Sequence, residues 1–544
     1  MLNLPWLSAL SFDRFEVNII LKSGFCRVIT GQSLYDNRPS QLTPLSHQRL
    51  SPSQKSSHFV GLNTIAANSE GIIISFGSGE TELYPHSFVY EKWLSMPLLA
   101  EPEAWDGQTR RPPPFVYDDF IHNDAYLLSA LQSFLRYGYL HLKEAPYHLD
   151  EIETTIRRFS VLRETNYGRI FDVKPKPNLT NLADSHRGLE PHTDNPYRGP
   201  PPSIQILHVL KPADIGGETI LVDGLSLIER LKKTHSEYLE ILSSVPVRFG
   251  WRDADHDHTH QAPIIETNDT GNDFIIRFNH RSMIEPVITG LKARKWQEAY
   301  QSLSALIHDE HLRISLRLEE GDILIMNNHR ILHGRSAFDD DQSQRWLKGA
   351  YIEMDGLKSK TRSLMKTMIE ETIKTLSALF HSDGAHQFYG EDVSLINHML
   401  QTASWLSENN EDEALIISGL LHDIGWLFEG NSHENSGADY LEAYFGPKIS
   451  EPVRLHVYAK RYLVATQANY YDKLSDASKE TLTKQGGPLD TDECHRFEQN
   501  PYFHQALKLR QADDEAKTMG GSPAPFAAYE PILASLIIDK HRTR

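Results

Sequence analysis

At Asp355-Gly356 the hydrophobic pattern of this 544-residue chain changes period, and that change divides what the chain can fold into. Before it, β-branched and aromatic runs such as Ser203-Ile204-Gln205-Ile206-Leu207-His208-Val209-Leu210 alternate with turn-formers, as strands do. One helical stretch is expected there, near 291–308. After the change, Leu395, Met399, Ala403 and Leu406, then Ala414, Ile417, Leu420 and Leu421, recur about one helical turn apart. An earlier boundary lies at Gly107-Gln108-Thr109-Arg110-Arg111-Pro112-Pro113-Pro114, because three successive prolines continue neither a helix nor a central strand. Ahead of it, the run Gly71-Ile72-Ile73-Ile74-Ser75-Phe76-Gly77-Ser78-Gly79 reads as a strand entering a tight turn. The expected architecture is multidomain: a small β-rich N-terminal domain over 1–105, a β-dominated domain over 106–355 and an all-α domain over 356–544. At roughly 100–200 residues per domain, each is large enough to bury its own core.

Composition narrows the function classes. A formal charge of -18 disfavours nucleic-acid partners, which need basic surface to displace counterions from phosphates. No apolar run approaches the roughly 18 residues that a membrane span needs, so no membrane partner is expected. Met1-Leu2-Asn3-Leu4-Pro5-Trp6 lacks a basic region ahead of its apolar patch, and the expected location is cytoplasmic. Cys26 and Cys494 are too few for a disulfide framework or a thiolate zinc site, and are expected to be free thiols. Histidine, at 27 residues, is the telling count, since neutral imidazole is the commonest metal ligand. The expected partner is a small molecule, with a homodimer one arrangement open to the chain.

His192-Thr193-Asp194 places two ligand types two positions apart, which on a strand is one face. A third ligand is available in His333, directly after the strand-like Asp322-Ile323-Leu324-Ile325-Met326 and within Asn327-Asn328-His329-Arg330-Ile331-Leu332-His333-Gly334-Arg335. Two histidines and one carboxylate on one face suit a non-haem Fe(II) oxygenase, because three positions stay open for co-substrate and dioxygen. Arg345, twelve positions after His333, offers a guanidinium fork to a carboxylate.

Together with Gly216-Gly217-Glu218-Thr219, His333-Gly334-Arg335 and Arg345-Trp346-Leu347-Lys348-Gly349-Ala350-Tyr351, these residues resemble the taurine dioxygenase and γ-butyrobetaine hydroxylase family of 2-oxoglutarate oxygenases. The resemblance implies a double-stranded β-helix (jelly-roll) in which His192, Asp194 and His333 bind Fe(II), while Arg345 and Thr219 hold 2-oxoglutarate. Dioxygen is the oxidant, with ascorbate as an auxiliary reductant. Phe76 to Pro85 and Trp93-Leu94 look like the small N-terminal domain of γ-butyrobetaine hydroxylases; the cysteines of that domain's zinc site are missing, so no zinc and a packing or oligomerisation role are expected.

Further on, Ser418-Gly419-Leu420-Leu421-His422-Asp423-Ile424-Gly425-Trp426 carries the adjacent pair His422-Asp423 after an apolar helical run. Neighbours on a helix point about 100° apart, so the pair can serve one metal jointly or let the carboxylate bridge two. With His398, His433, His456 and Asp513, six candidate ligands stand in sequence. Adding Glu391, Lys460 and Gln485-Gly486-Gly487-Pro488, the segment resembles the mixed-valent di-iron branch of the HD-domain oxygenases, including its organophosphonate-cleaving type. That resemblance implies two irons, Fe(II)/Fe(III), on His398, His422, Asp423, His433, His456 and Asp513, with Asp423 bridging. Lys460 would neutralise a phosphonate and Glu391 would receive an amine. The family's Tyr-x-Gly-Glu loop reads Phe388-Tyr389-Gly390-Glu391 here, which moves any gating role to Tyr389.

The two halves together imply a bifunctional organophosphonate-degrading enzyme: hydroxylation at C1 of 2-aminoethylphosphonate or an N-methylated analogue, then carbon–phosphorus cleavage to glycine, or its analogue, and phosphate. Tyr167 and Tyr197 could cage a methylated ammonium, whereas Asp184-Ser185 and Asn195-Pro196-Tyr197-Arg198 favour the primary amine. Arg169, Arg198, Arg277 and Arg281 are candidates for the phosphonate. Alternative readings are a carnitine-pathway hydroxylase fused to an HD phosphohydrolase, and a regulatory chain whose HD module only binds a ligand.

Overall fold

The strand that carries Gln205, Ile204–Lys211, lies between Trp346–Ile352 and Ile323–Asn327, antiparallel to both, and Ile204, Ile206, Ile323, Ile325, Ala350 and Ile352 are buried along these two pairs. This computed structural model describes residues 4–22, 24–50, 52, 58–68, 70–94, 97–109, 112–175, 184–267, 273–338, 345–388, 393–428, 432–516 and 523–543. They fall into two compact units, Leu98–Lys366 and a second made of Met1–Pro97 with Thr367–Thr543.

In the first unit, a seven-stranded sheet runs in the order Ile170–Val173, Trp346–Ile352, Ile204–Lys211, Ile323–Asn327, Tyr139–Lys143 and Phe115–Val116, with Leu162–Arg163 pairing off the Trp346–Ile352 strand. A four-stranded sheet runs Leu189–His192, Ile331–Arg335, Thr219–Asp223, Arg313–Leu316. Val209, Leu324, Met326 and Leu347 from the larger sheet and Leu221, Ile314 and Ile331 from the smaller share one core, as a jelly-roll requires. The expected helix is present as Leu291–His308, with Trp296, Ala299, Leu303 and Ile307 on its buried face.

A buried ion pair ties the two strands nearest the site. Asp223 ends one of them and caps the following helix, its Oδ1 accepting from Leu225 N–H at 3.1 Å. The same carboxylate accepts from Arg330 Nε at 2.7 Å and Nη2 at 3.0 Å, and from Trp105 N–H at 3.0 Å. Arg330 immediately precedes the strand that carries His333. Removing one partner strands a charge away from water, so Asp223→Ala should cost about 3–5 kcal/mol. Urea unfolding of the metal-free protein checks this; a midpoint equal to wild type would show that the pair is dispensable.

The second unit holds the helical half. Leu395–Glu408 buries Leu395, Met399, Ala403 and Leu406, in keeping with the one-turn spacing, whereas Glu413–Leu421 buries every residue from Leu415 to Leu421 and leaves Ala414 half-buried, so its packing runs all round rather than along one face. Helices His433–Phe445, Pro447–Thr466, Phe503–Ala516 and Glu530–Thr543 complete the main packing. Gly71–Phe76 is the expected strand; it turns at Gly79, with φ at +99°, into Thr81–Pro85. The sequence reading treats 1–105 as a domain of its own, whereas here Trp6, Ile19, Ile74, Phe76 and Tyr84 share one core with Leu376, Phe380, Leu406, Leu420 and Leu533. Lys22 Nζ also donates to Ser407 Oγ at 2.7 Å.

Candidate functional site

Strand register assembles the first group of ligands. His192 ends its strand opposite His333, and their ring centroids lie 4.6 Å apart. Asp194 lies beyond the strand end, so period-two alternation is not what aims it. Asn328 does so: its Oδ1 accepts from Asp194 N–H at 2.7 Å, and its Nδ2 donates to Asp194 O at 3.1 Å. One ligand atom from each of His192, Asp194 and His333 falls within 4.8 Å of the others. His192 Nδ1–H donates to Glu190 O at 2.8 Å, which leaves the Nε2 lone pair facing Asp194 Oδ1 at 3.5 Å. His333 Nε2 lies 3.7 Å from Asp194 Oδ2. Burial, only partly opposed by Asp194, pushes His333 down to about 4, so its imidazole is neutral at pH 7. Burial alone would raise Asp194, but the neighbouring His333 and His192 rings and the Tyr351 hydroxyl hold its carboxyl well below the usual carboxylate range. Two imidazole nitrogens with one carboxylate make a donor set that fits Fe(II).

These residues line a cavity of about 650 Å³. Arg345 and Thr219 both line it. Burial, then the neighbouring Arg335 charge, pushes Arg345 down to about 9; a carboxylate beside it would reverse both effects. Gly216 makes the turn that leads into Thr219: its φ is +72°, and a Cβ there would sit 2.2 Å from Ala337 O. Of the four candidate phosphonate arginines, Arg281 lines the cavity. Arg169 is mostly exposed beside Glu153, Arg277 is held by Glu266 at 2.5 Å, and Arg198 reaches His258 Nε2 at 3.2 Å. Sequence reasoning missed much of the wall. Trp251 stacks on Tyr197 at 5.8 Å and 17°, Tyr167 packs on Trp251 at 5.7 Å, and Phe171 and Tyr351 extend the aromatic surface. Only Tyr351 stood inside a motif; Trp251 and Phe171 carry no local signal of their role.

In the other unit, Asp423 belongs to two groups at once, His398–His422–Asp423 and Asp423–His433–His456, each within 4.8 Å. Its Oδ2 lies 3.5 Å from His422 Nε2 and 3.9 Å from His398 Nε2, while Oδ1 lies 3.3 Å from His433 Nε2 and 3.7 Å from His456 Nε2. Asp513 Oδ1 joins the first group, 2.9 Å from His398 Nε2. Backbone carbonyls fix the rings: His422 Nδ1–H donates to Gly419 O at 2.8 Å and His456 Nδ1–H to Val453 O at 2.6 Å. That leaves His422 Nε2 buried without a hydrogen-bond partner, and His456 Nε2 aimed at His433 Nε2 at 3.3 Å. Two imidazole nitrogens facing each other around a shared carboxylate are what cations between them would satisfy. Burial and the adjacent His433 push His456 down to about 3, so it too is a neutral donor.

A small cavity of about 80 Å³ opens on this group, lined also by Trp426, Lys460, Ser478, Thr481, Gln485 and Arg510. Lys460 Nζ donates to Thr481 Oγ1 at 3.1 Å. Arg510 donates through Nη1 to Asp513 Oδ2 and through Nε to Tyr470 Oη at 3.0 Å, so it fixes the Asp513 carboxylate, a support the sequence did not show. Tyr389 and Glu391 lie outside the described residues.

Comparison with known proteins gives three kinds of relative. Residues 107–351 match the family described as taurine catabolism dioxygenase TauD, TfdA family. The [1-hydroxy-2-(trimethylamino)ethyl]phosphonate dioxygenase (glycine-betaine-forming) of Leisingera caerulea is 35% identical over 180 residues, covering 31% of this chain and 91% of that protein. Hydroxymethylphosphonate dioxygenase of Gimesia maris is 39% identical over 187 residues, covering 32% of this chain and 92% of its own. Human γ-butyrobetaine dioxygenase is 28% identical over 274 residues, covering 49% of this chain and 70% of its own.

Proposed function

We propose that this chain, which belongs through its residues 107–351 to the TauD, TfdA family of 2-oxoglutarate-dependent dioxygenases and has phosphonate and γ-butyrobetaine dioxygenases as homologues, hydroxylates a 2-ammonioethylphosphonate at C1 and then cleaves its carbon–phosphorus bond. The observation that carries the second step is Asp423, whose two oxygens face two separate histidine groups in a chain that also holds the His192–Asp194–His333 cluster. The relatives support it. One is named for a 1-hydroxylated phosphonate and for forming glycine betaine, a product without phosphorus.

The two reactions balance as a sequence. In the first, 2-oxoglutarate and dioxygen give succinate and carbon dioxide while C1–H becomes C1–OH. In the second, one dioxygen converts the hydroxylated carbon to a carboxylate and releases phosphate, with no further co-substrate. When bound, iron on His192, Asp194 and His333, and an iron pair on His398, His422, Asp423, His433, His456 and Asp513, supplies the oxygen activation for the respective steps. Around the first site, Arg345 and Thr219 hold the co-substrate carboxylate and Arg281 faces the phosphonate. At the second, Lys460 and Thr481 hold the phosphonate while the neutral rings of His422 and His456 stay fixed by their carbonyls.

The wall of Tyr167, Tyr197 and Trp251 favours the trimethylated ammonium over the primary amine that the polar neighbours suggested, because methylated cations bind aromatic faces without needing hydrogen-bond acceptors. Trp251→Leu should therefore raise KM for the trimethylated phosphonate by roughly 2- to 30-fold, the equivalent of about 0.5–2 kcal/mol, and leave kcat nearly unchanged; an unaltered KM would remove Trp251 from the binding wall. The same wall also suits a second reading, hydroxylation of a quaternary amine that carries a carboxylate. Phosphorus NMR decides between them. Protein supplied with Fe(II), ascorbate, 2-oxoglutarate and dioxygen should convert 2-(trimethylammonio)ethylphosphonate to inorganic phosphate only when 2-oxoglutarate is present. Turnover of γ-butyrobetaine with an unchanged phosphonate signal would establish the second reading instead.

A further inference from the structure

Each oxygen of Asp194 faces one imidazole, Oδ1 lying 3.5 Å from His192 Nε2 and Oδ2 3.7 Å from His333 Nε2, but Oδ2 also accepts from Tyr351 Oη–H at 2.8 Å and from Gln205 Nε2–H. Both donors are buried, Gln205 at 6% and Tyr351 at 4% exposure, and both line the same cavity as the ligands. They arrive together because Gln205 and Tyr351 are directly opposed in the antiparallel pair of Ile204–Lys211 with Trp346–Ile352. Side chains alternate along the first strand: Gln205 and Leu207 face the cavity, while Ile204 and Ile206 are fully buried and do not line it. A one-residue slip would remove both donors from the site, so the register specifies this contact.

We propose that Gln205 and Tyr351 are positioning residues that occupy Asp194 Oδ2 and so hold this carboxylate to metal coordination through Oδ1 alone. The inference rests on reading His192, Asp194 and His333 as iron ligands. A carboxylate free to turn can grip a cation with both oxygens and fill a position that the reaction needs for co-substrate or dioxygen. Two hydrogen bonds on one oxygen disfavour that rotation, since it would leave a buried phenol and a buried amide without acceptors. The tyrosine also packs at 5.3 Å on Phe171, which lines the cavity wall beside Tyr167 at 5.7 Å. Its hydroxyl is therefore held from the ring side as well as from the carboxylate.

The test uses the full chain with Tyr351→Phe, which removes one oxygen, Gln205→Met, which keeps the side-chain length, and the double variant. Fe(II) is titrated anaerobically into metal-free protein with 2-oxoglutarate, following the visible charge-transfer absorption. The succinate formed per hydroxylated product is measured separately. The double variant should bind Fe(II) about 10- to 100-fold more weakly, with a displaced absorption band and more succinate than product, and each single variant should fall between. A band and an affinity within twofold of wild type in the double variant, at an unchanged melting temperature, would overturn the positioning role. Wild-type protein that took up no Fe(II) would instead sink the assignment of the ligands themselves. A variant that melted early yet kept the wild-type band would show a role in packing only, and would also overturn the inference.

Discussion

Asp194→Ala should abolish 2-oxoglutarate-dependent hydroxylation, by at least about 1,000-fold, while phosphate release from added 1-hydroxy-2-(trimethylammonio)ethylphosphonate stays close to wild type. The size of the loss follows from what the carboxylate does. It is the one carboxylate of a set whose other two members are imidazoles, and it faces both of them, at 3.5 and 3.7 Å. Without it, the charge of a divalent cation meets only neutral donors in a buried cavity. The preserved second activity follows from the fold, because all residues of the second group lie in the other compact unit. It is also an internal control for folding. The measurement is phosphorus NMR with each substrate supplied separately; equal loss on both substrates at an unchanged melting temperature would mean that the two reactions share one site.

Asp423→Ala should give the mirror result. Succinate and the 1-hydroxylated phosphonate should accumulate in equal amounts, while phosphate release falls to background, again by at least about 1,000-fold. One substitution suffices because each oxygen of Asp423 serves a different histidine group, so its removal takes a ligand from both positions. His422→Ala, by contrast, strikes only one group. Metal analysis of Asp423→Ala should show the loss of about two irons per chain and retention of the one at His192, Asp194 and His333. Retention of all the iron, with phosphate still released, would end the reading of Asp423 as a bridge.

Much of both sites was legible because ligand chemistry is local in type and ordered in sequence. His192, Asp194 and His333 could be singled out by residue type and by the strand-like text around His333, and the structure brings them together. The same holds for His398, His422, Asp423, His433, His456 and Asp513. The supports were not legible. Asn328, which aims Asp194, lies 134 positions from it, and Gln205 meets Tyr351 across a strand pair whose register no single segment reveals. Trp251 joins Tyr197 through stacking between elements far apart in the chain. Tyr167 and Tyr197 were visible in the sequence as a partial cage, but Trp251 and Phe171, which extend it, carry no motif, so the polar run around Asn195 weighed towards the primary amine.

Residue types in order along the chain carried the candidate donors and the two kinds of periodicity, because side-chain chemistry and the hydrophobic repeat are properties of neighbouring residues. Their use came from assembly: Asp423 splits its oxygens between two groups, Gln205 and Tyr351 both donate to Oδ2 of Asp194, and the first strands of the chain share a core with its last helices. These depend on strand register and on which apolar faces cover one another, and burial of a common surface selects both only when the whole unit is assembled.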